Sequence, residues 1–553
     1  MCHPDKPALR GTLLALIALL GLPASSQTPA PDAIFVNGKV VTVDGMFSVA
    51  EAIAVTGSRI TAVGTNDAVE GLAGADTRTV DLDGHTVIPG LIDNHMHLLR
   101  AGTTWLDDVR LDGVASRAEA LARLRARAAQ VPAGEWVFAL GGFMLDQFAD
   151  DPRPFTRAEL DRELPDHPVL LQTGYYKTYV NSRALVEFGI DDDGRGESWV
   201  VRDATGRATG EIEEPGVRPL AARLPAPSGD DVQAGTRAMI RDLNAMGLTT
   251  VASAGCPENL LSLYRDWASR GELDLRVYCM DSARADGPED VDEALAQIPE
   301  LDLFWGDNWV DRVLYGEGVY NPLHDRMHVV DVAPSEDDLY QWRRLATEIA
   351  RSSLPLQVHA HHPVTISAFL DIIEDINRQY PIRALRWTFA HGNQLDVEAL
   401  ARMKALGMVV ALHPWTVING AVHHALYGDA AYDFLPLRTI EDSGITWGLG
   451  SDGSRANQIE PLRTLGWAVT GDMVGGRHVT RQTITREEAL IAHTRDNAHL
   501  LFREDELGSI EPGKLADFVV LDRDYLTVPA GEIKDLKPVM TVVDGRIVFD
   551  ALR

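Results

Sequence analysis

Val87-Ile88-Pro89-Gly90-Leu91-Ile92-Asp93-Asn94-His95-Met96-His97 is an apolar run, a Pro-Gly step, a second apolar step and two histidines one residue apart. On an extended strand, residues i and i+2 face the same side. His95 and His97 therefore present two imidazoles to one point, half of a tetrahedral metal site. A buried-strand pattern leading straight into the pair favours the metal reading over two unrelated histidines at a strand end.

The stretch PGLIDNHMHL, Pro89 to Leu98, resembles the first-strand motif of the amidohydrolase superfamily, in its amidohydrolase-3 (YtcJ-like) branch. The resemblance implies a metal-bearing (β/α)8 barrel that hydrolyses amide and other C–N bonds, with a β-sandwich formed by the N- and C-terminal strands.

The rest of the chain bears on that expectation. Its 553 residues suit a barrel with insertions plus a smaller domain. Apolar runs at 248–252, 275–279, 312–315, 356–359, 386–391, 408–412 and 445–450 alternate with helical patterns. With the HxH strand they make the eight that a closed barrel requires. Short alternating segments lie at both ends: 33–40, turning at Asn37-Gly38 as a hairpin would, then 51–55 and 59–64, and finally 516–521 and 541–548. Too few at either end to close a core, they predict one composite sheet domain. Gly508-Ser509-Ile510-Glu511-Pro512-Gly513-Lys514-Leu515-Ala516-Asp517 resembles the family's entry into it. The expected division is a signal peptide at 1–26, a β-sandwich from 27–86 plus 509–553, and a barrel over 87–508 with an insertion at about 101–230.

Lys6 and Arg10, the apolar run 11–22 and Pro23-Ala24-Ser25-Ser26 follow the order of a secretory signal. The run is short for a membrane span. A periplasmic or secreted protein is expected, without a membrane partner after cleavage. Removal of Cys2 leaves Cys256 and Cys279, either disulfide-bonded or as two buried thiols. A formal charge of -30 argues against nucleic acid and anionic membranes and leaves a small-molecule substrate. Homo-oligomerisation is left open.

His359, His391 and Asp452 fall at the ends of the fifth, sixth and eighth apolar runs, where (β/α)8 enzymes place active groups. The resemblance assigns His95, His97, His359, His391 and Asp452 as the metal-ligand set. Imidazoles and a carboxylate suit zinc or a similar ion, one or two per chain. Such an ion lowers the pKa of its water to ~7 and polarises a carbonyl. Asp452 is then the proton acceptor and later donor, and His391 a second catalytic group.

On the fourth strand, where binuclear members carry a modified lysine, this chain reads Val313-Leu314-Tyr315-Gly316-Glu317-Gly318. Glu317 is either a carboxylate ligand bridging two metals or an ordinary strand-end glutamate. The family's Asp-Gly-His becomes Gly174-Tyr175-Tyr176, its Gly-Asp after the fifth-strand histidine becomes His362-Pro363, and Glu214 stays in register in Thr209-Gly210-Glu211-Ile212-Glu213-Glu214. Tyr175, Tyr176, Tyr179 and Trp415 are candidate pocket aromatics, or packing within the insertion. Lys177 is a candidate contact for a substrate carboxylate, a modified bridging lysine, or a solvated surface residue. The function expected is C–N hydrolysis of an amide, formamide or cyclic amide. Ester, lactone or phosphotriester hydrolysis at the same centre, or a binding protein without turnover, are the alternatives.

Overall fold

The computed structural model describes residues 29–192, 196–326 and 332–552. The expected signal peptide and Cys2 lie outside them. Among the described residues no helix is long and apolar enough to cross a membrane.

Eight parallel strands run side by side in chain order: β1 (Leu91–Met96), β2 (Leu248–Ala254), β3 (Arg276–Asp281), β4 (Val310–Glu317), β5 (Leu356–Ala360), β6 (Thr388–His391), β7 (Val409–Leu412) and β8 (Trp447–Leu449). All eight apolar runs are strands. Strands covered on both faces need no polar side, so β1, β2, β5, β6, β7 and β8 are buried at every residue. The helix Glu336–Arg351 covers one outer face. It buries Trp342, Leu345, Ala346 and Ile349, the spacing of one helical stripe, and Trp342 stacks on Phe369 at 4.1 Å. Ser335 caps it by accepting from the Asp338 amide.

The first and last strands meet through their ends. The Asp452 amide donates to the His95 carbonyl at 2.8 Å, and the His97 amide to the Gly453 carbonyl at 2.6 Å. Asn497 donates to the carbonyls of Ile92 and Leu449 at 2.6 and 2.7 Å, tying β1 to β8. Gly448 makes room for it: a Cβ there would sit 1.9 Å from Asn497 Oδ1. The barrel thus closes beside its first and last candidate ligands.

Two further sheets face each other across a core of Phe35, Ile53, Val55 and Ile60 on one side and Val87, Phe518, Val520 and Val542 on the other. One holds, in order, Arg59–Gly64, Ala52–Thr56, Ala33–Val36 and Arg78–Asp81. The other runs Arg546–Asp550, Pro538–Val543, Phe518–Leu521, Thr86–Pro89, Lys39–Val41 and Val49–Ala50, joining both chain ends. The hairpin expected at Asn37-Gly38 does not form: Ala33–Val36 and Lys39–Val41 lie in different sheets. Asn37 does take the left-handed φ of 59° that an Asn-Gly pair favours. Its neighbours use that bend as a corner, with the Gly38 amide bound to Glu51 and the Gly84 amide to Asn37.

Between β1 and β2 a five-stranded sheet runs Val200–Arg202, Ala208–Glu213, Lys177–Val180, Val169–Thr173 and Val137–Leu140. Phe143, Phe148, Phe155 and Tyr179 fill one of its faces, Phe138, Leu170 and Phe188 the other. Tyr179 is therefore core and not pocket.

Candidate metal centre

β1 delivers His95 and His97, β4 ends on Glu317, β5 carries His359, β6 ends on His391, and Asp452 follows β8. All six converge. Glu317 Oε2 stands 3.5 Å from His95 Nε2, 3.7 Å from His359 Nδ1 and 3.2 Å from His391 Nε2, and Oε1 stands 3.9 Å from His97 Nε2. Asp452 Oδ1 lies 3.3 Å from His97 Nε2 and 3.7 Å from His95 Nε2. Glu317 is thus central to the cluster.

Each imidazole turns one nitrogen inward because the other is held. His95 Nδ1 donates to Gln357 Oε1 at 2.5 Å, and His97 Nδ1 to the Ala254 carbonyl at 3.3 Å. His359 Nε2 donates to the Asp325 carbonyl at 2.7 Å. His391 Nδ1 shares a hydrogen bond with His413 Nδ1 at 2.8 Å, and His413 Nε2 donates to Asn94 Oδ1 at 3.0 Å. Partners of this kind set the ring orientation and tautomer of metal-binding histidines. His95 Nε2 and His359 Nδ1 are buried without a hydrogen-bond partner. Buried polar atoms are almost always satisfied, so two orphans aimed into one cluster fit a cation as their partner.

The electrostatics agree. Burial disfavours a charge on His95, but the negative charges of Glu317 and Asp452 together with the hydrogen bonds to Glu317 and Gln357 outweigh it and push the pKa up to about 9. For His359 burial is again overridden, by Asp325 and Glu317, and the pKa rises to about 10. His97, His391 and His361 are held below the usual imidazole range, chiefly by burial. Burial would raise Glu317 and Asp452, yet the surrounding imidazoles keep both below the usual carboxylate range. His95 and His359 thus favour positive charge beside two buried carboxylates, the kind of charge that a metal would supply there.

Among the described residues two groups could hold an ion, His95 with His97 and Glu317, and His359 with His361 and His391, each with its donor atoms within 4.8 Å of one another. His361 was not among the expected ligands. The i, i+2 spacing that marks His95 and His97 also marks His359 and His361, and it is the signal that could have found it. Asn393 Nδ2 donates to His361 Nδ1 at 2.9 Å, and the ring stacks on His391 at 4.6 Å. His413, on the loop after β7, and Asp325, after β4, had no sequence pattern to mark them.

The cluster opens into a cavity of about 400 Å³. Tyr175, Tyr176, Trp415 and Glu214 all line it, so the insertion supplies part of its wall. Trp415 Nε1 donates to Asp452 Oδ2 at 2.8 Å. Glu214 pairs with Arg326 at 2.8 Å. Lys177 departs from the expected place at the substrate or as a bridge. Its ammonium pairs with Glu211 and, at 3.2 Å, with Glu213, and it does not line the cavity. Strand alternation is the reason: on Lys177–Val180 it pairs with Glu213 across the antiparallel ladder.

The sequence model of the amidohydrolase family matches residues 78–549. The chain is 28% identical to the N-substituted formamide deformylase of Arthrobacter pascens, over 95% of this chain and 99% of that one. It is 25% identical to the putative amidohydrolase YtcJ of Bacillus subtilis, over 87% and 92%. In fold it is similar to an uncharacterized metal-dependent hydrolase from Pyrococcus horikoshii, with a TM-score of 0.63 at 21% identity, covering 90% of this chain and 99% of that one.

Proposed function

The chain belongs to the amidohydrolase family, and on that premise we propose that it is an exported zinc enzyme hydrolysing the C–N bond of an amide, formamide or cyclic amide. The observation that carries this reading is the convergence of four imidazoles and two carboxylates at barrel strand ends, with two buried nitrogens left unsatisfied. Similarity to a formamide deformylase along nearly the whole chain favours formamides among these substrates. The Cys256–Cys279 disulfide, across neighbouring strand ends, supports an oxidising compartment.

His95, His97, Glu317, His359 and His391 would hold the ion, with His361 as a further donor. When bound, such an ion supplies an activated water and polarises the scissile carbonyl. Asp452 is ionised at neutral pH and accepts the water's proton. Trp415 holds its Oδ2 and so fixes which carboxylate oxygen faces the reaction. The same carboxyl then returns the proton to the departing nitrogen. Tyr175, Tyr176 and Trp415 bound the cavity with aromatic surface for the substrate's apolar part.

The test joins metal analysis to a panel of formamides, cyclic amides, esters, lactones and phosphotriesters. Zinc at one or two ions per chain, with cleavage of a C–N substrate, is expected. The double substitution His95→Ala, His97→Ala removes metal and activity; if the chain holds two ions with Glu317 between them, Glu317→Gln lowers occupancy toward one, because a neutral amide would bridge poorly. A double mutant that keeps its metal and turnover refutes the site; turnover confined to esters refutes the substrate class.

A further inference from the structure

The cavity wall carries Arg100 and Arg218 on either side of one tyrosine, with a third arginine beside them. Arg100 Nη2 donates to the Tyr175 hydroxyl at 2.8 Å, and the Arg218 guanidinium lies 4.5 Å from the centroid of the same ring. Arg455, in the loop after β8, is close enough that the charges of Arg100 and Arg218 add to burial in lowering its pKa. Among the described residues no carboxylate lies within 4 Å of any of the three guanidinium groups, Arg455 makes no side-chain hydrogen bond, and Arg100 Nε is buried without a partner.

The setting makes this unusual. Acidic residues outnumber basic ones by 81 to 51. The other arginines of the cavity are paired, Arg284 with Asp286 at 2.7 Å and Arg326 with Glu214 at 2.8 Å. Nearby Arg110 is bound to Asp112 at 2.6 Å. Like charges gathered there repel, and the charge of Asp108 offsets only part of this at Arg455, which burial and the other two arginines hold below the usual guanidinium range. A guanidinium fork is also the side chain best shaped to bind a carboxylate.

Chain geometry limits the reach. Arg100 follows His97 by three residues and Arg455 follows Asp452 by three, so each Cα lies within about 10 Å of a candidate catalytic or metal-binding residue's Cα. The insertion contributes Arg218 from the opposite part of the chain. The Arg455 backbone is held against the insertion as well: a Cβ on Gly141 would meet the Arg455 carbonyl oxygen at 2.2 Å, and the Gly142 amide donates to that oxygen at 3.1 Å.

We propose that the cavity selects substrates bearing a carboxylate a few bonds from the scissile C–N bond, bound by Arg100 and Arg218 with the positive charge of Arg455 beside them. This deepens the hydrolase reading and rests on it for the reaction, though not for the binding. A charged hydrogen bond of this kind is worth about tenfold or more in affinity.

The holoenzyme is assayed with N-formylphenylalanine and with its neutral carboxamide. The acid is expected to have a kcat/KM about tenfold or more above the amide, and the double variant Arg218→Met, Arg455→Met to bring that ratio toward one. A ratio of one or less in the parent overturns the proposal. If neither compound is cleaved, the hydrolase reading fails there, and calorimetric titration with phenylacetate and phenylacetamide tests the anion site alone. Tighter binding of the carboxylate, lost in the double variant, supports it. Equal binding in the parent, or a preference that the variant retains because the carboxylate sits elsewhere, overturns it. Should the double variant not fold, Arg218→Met alone, at an exposed position, is read in the same way.

Discussion

Asp452 adopts a φ of 56° and His391 one of 75°, a region that non-glycine residues rarely occupy. Such backbone persists where surrounding structure over-determines it, and here both residues stand at strand ends facing Glu317 or its imidazoles. At Asp452 the left-handed turn lets the amide bond to His95 across the barrel seam while the carboxylate faces His97. Asn tolerates that conformation nearly as well as Asp. Asp452→Asn should therefore keep fold and metal while losing the proton acceptor. We expect kcat to fall by ~10²-fold or more, the scale of a positioned general base. The check is kcat at saturating metal, with the fold verified by circular dichroism. Near-parental turnover in a folded, metal-loaded variant would take Asp452 out of the mechanism.

At the scale of elements, β3 is locked to the C-terminal strands by one buried cation. Arg276 is fully buried; its Nε and Nη2 each bind Asp517 at 2.8 Å, and Nη2 also binds Asp544 at 2.9 Å. Its Nη1 donates to the Asn308 carbonyl, so four of the five guanidinium donors are engaged. Burial alone would lower the pKa of Arg276, but Asp517 reverses this and raises it. Removing Arg276 leaves Asp517 buried without its cation, which costs about 3–5 kcal/mol. Arg276→Met should lower stability by that amount in denaturant titration and Asp517→Asn by less, because Asp544 still binds the guanidinium, while the double variant loses less than the sum of the two. Strict additivity would mean that the contact contributes no coupling.

For the whole molecule, the link between Cys256 and Cys279 spans 23 residues and joins the end of β2 to β3. Closing a loop of that length removes unfolded-state entropy worth about 3 kcal/mol. The oxidised protein should therefore unfold at a higher denaturant concentration than the reduced protein or Cys279→Ser, with activity per folded molecule retained because neither cysteine lines the cavity. Mass spectrometry without reductant should recover the two cysteines in one linked peptide pair. Two alkylatable thiols in protein recovered from the periplasm or medium would contradict the link and remove the support it lends to an oxidising compartment.

The fold was legible because its signals are local. Each barrel strand is a short apolar run between turns, and the HxH pair, the strand-end histidines and Asp452 sit where such a run stops, so eight strands and five converging residues could be read in one dimension. Glu317 was legible only as a choice between two roles; its place among four imidazoles depends on barrel closure. Asn37-Gly38 shows the opposite limit. The pair dictates a left-handed bend, but whether that bend makes a hairpin or a corner between sheets depends on Glu51 and Gly84, which only the packed chain brings to it. Lys177 likewise found its acidic partners through strand pairing, and His413 and Asp325 reached the centre from loops without any period. Local backbone preference is written residue by residue, whereas electrostatic partnership is a property of distance, and distance between remote residues exists only once the barrel has closed.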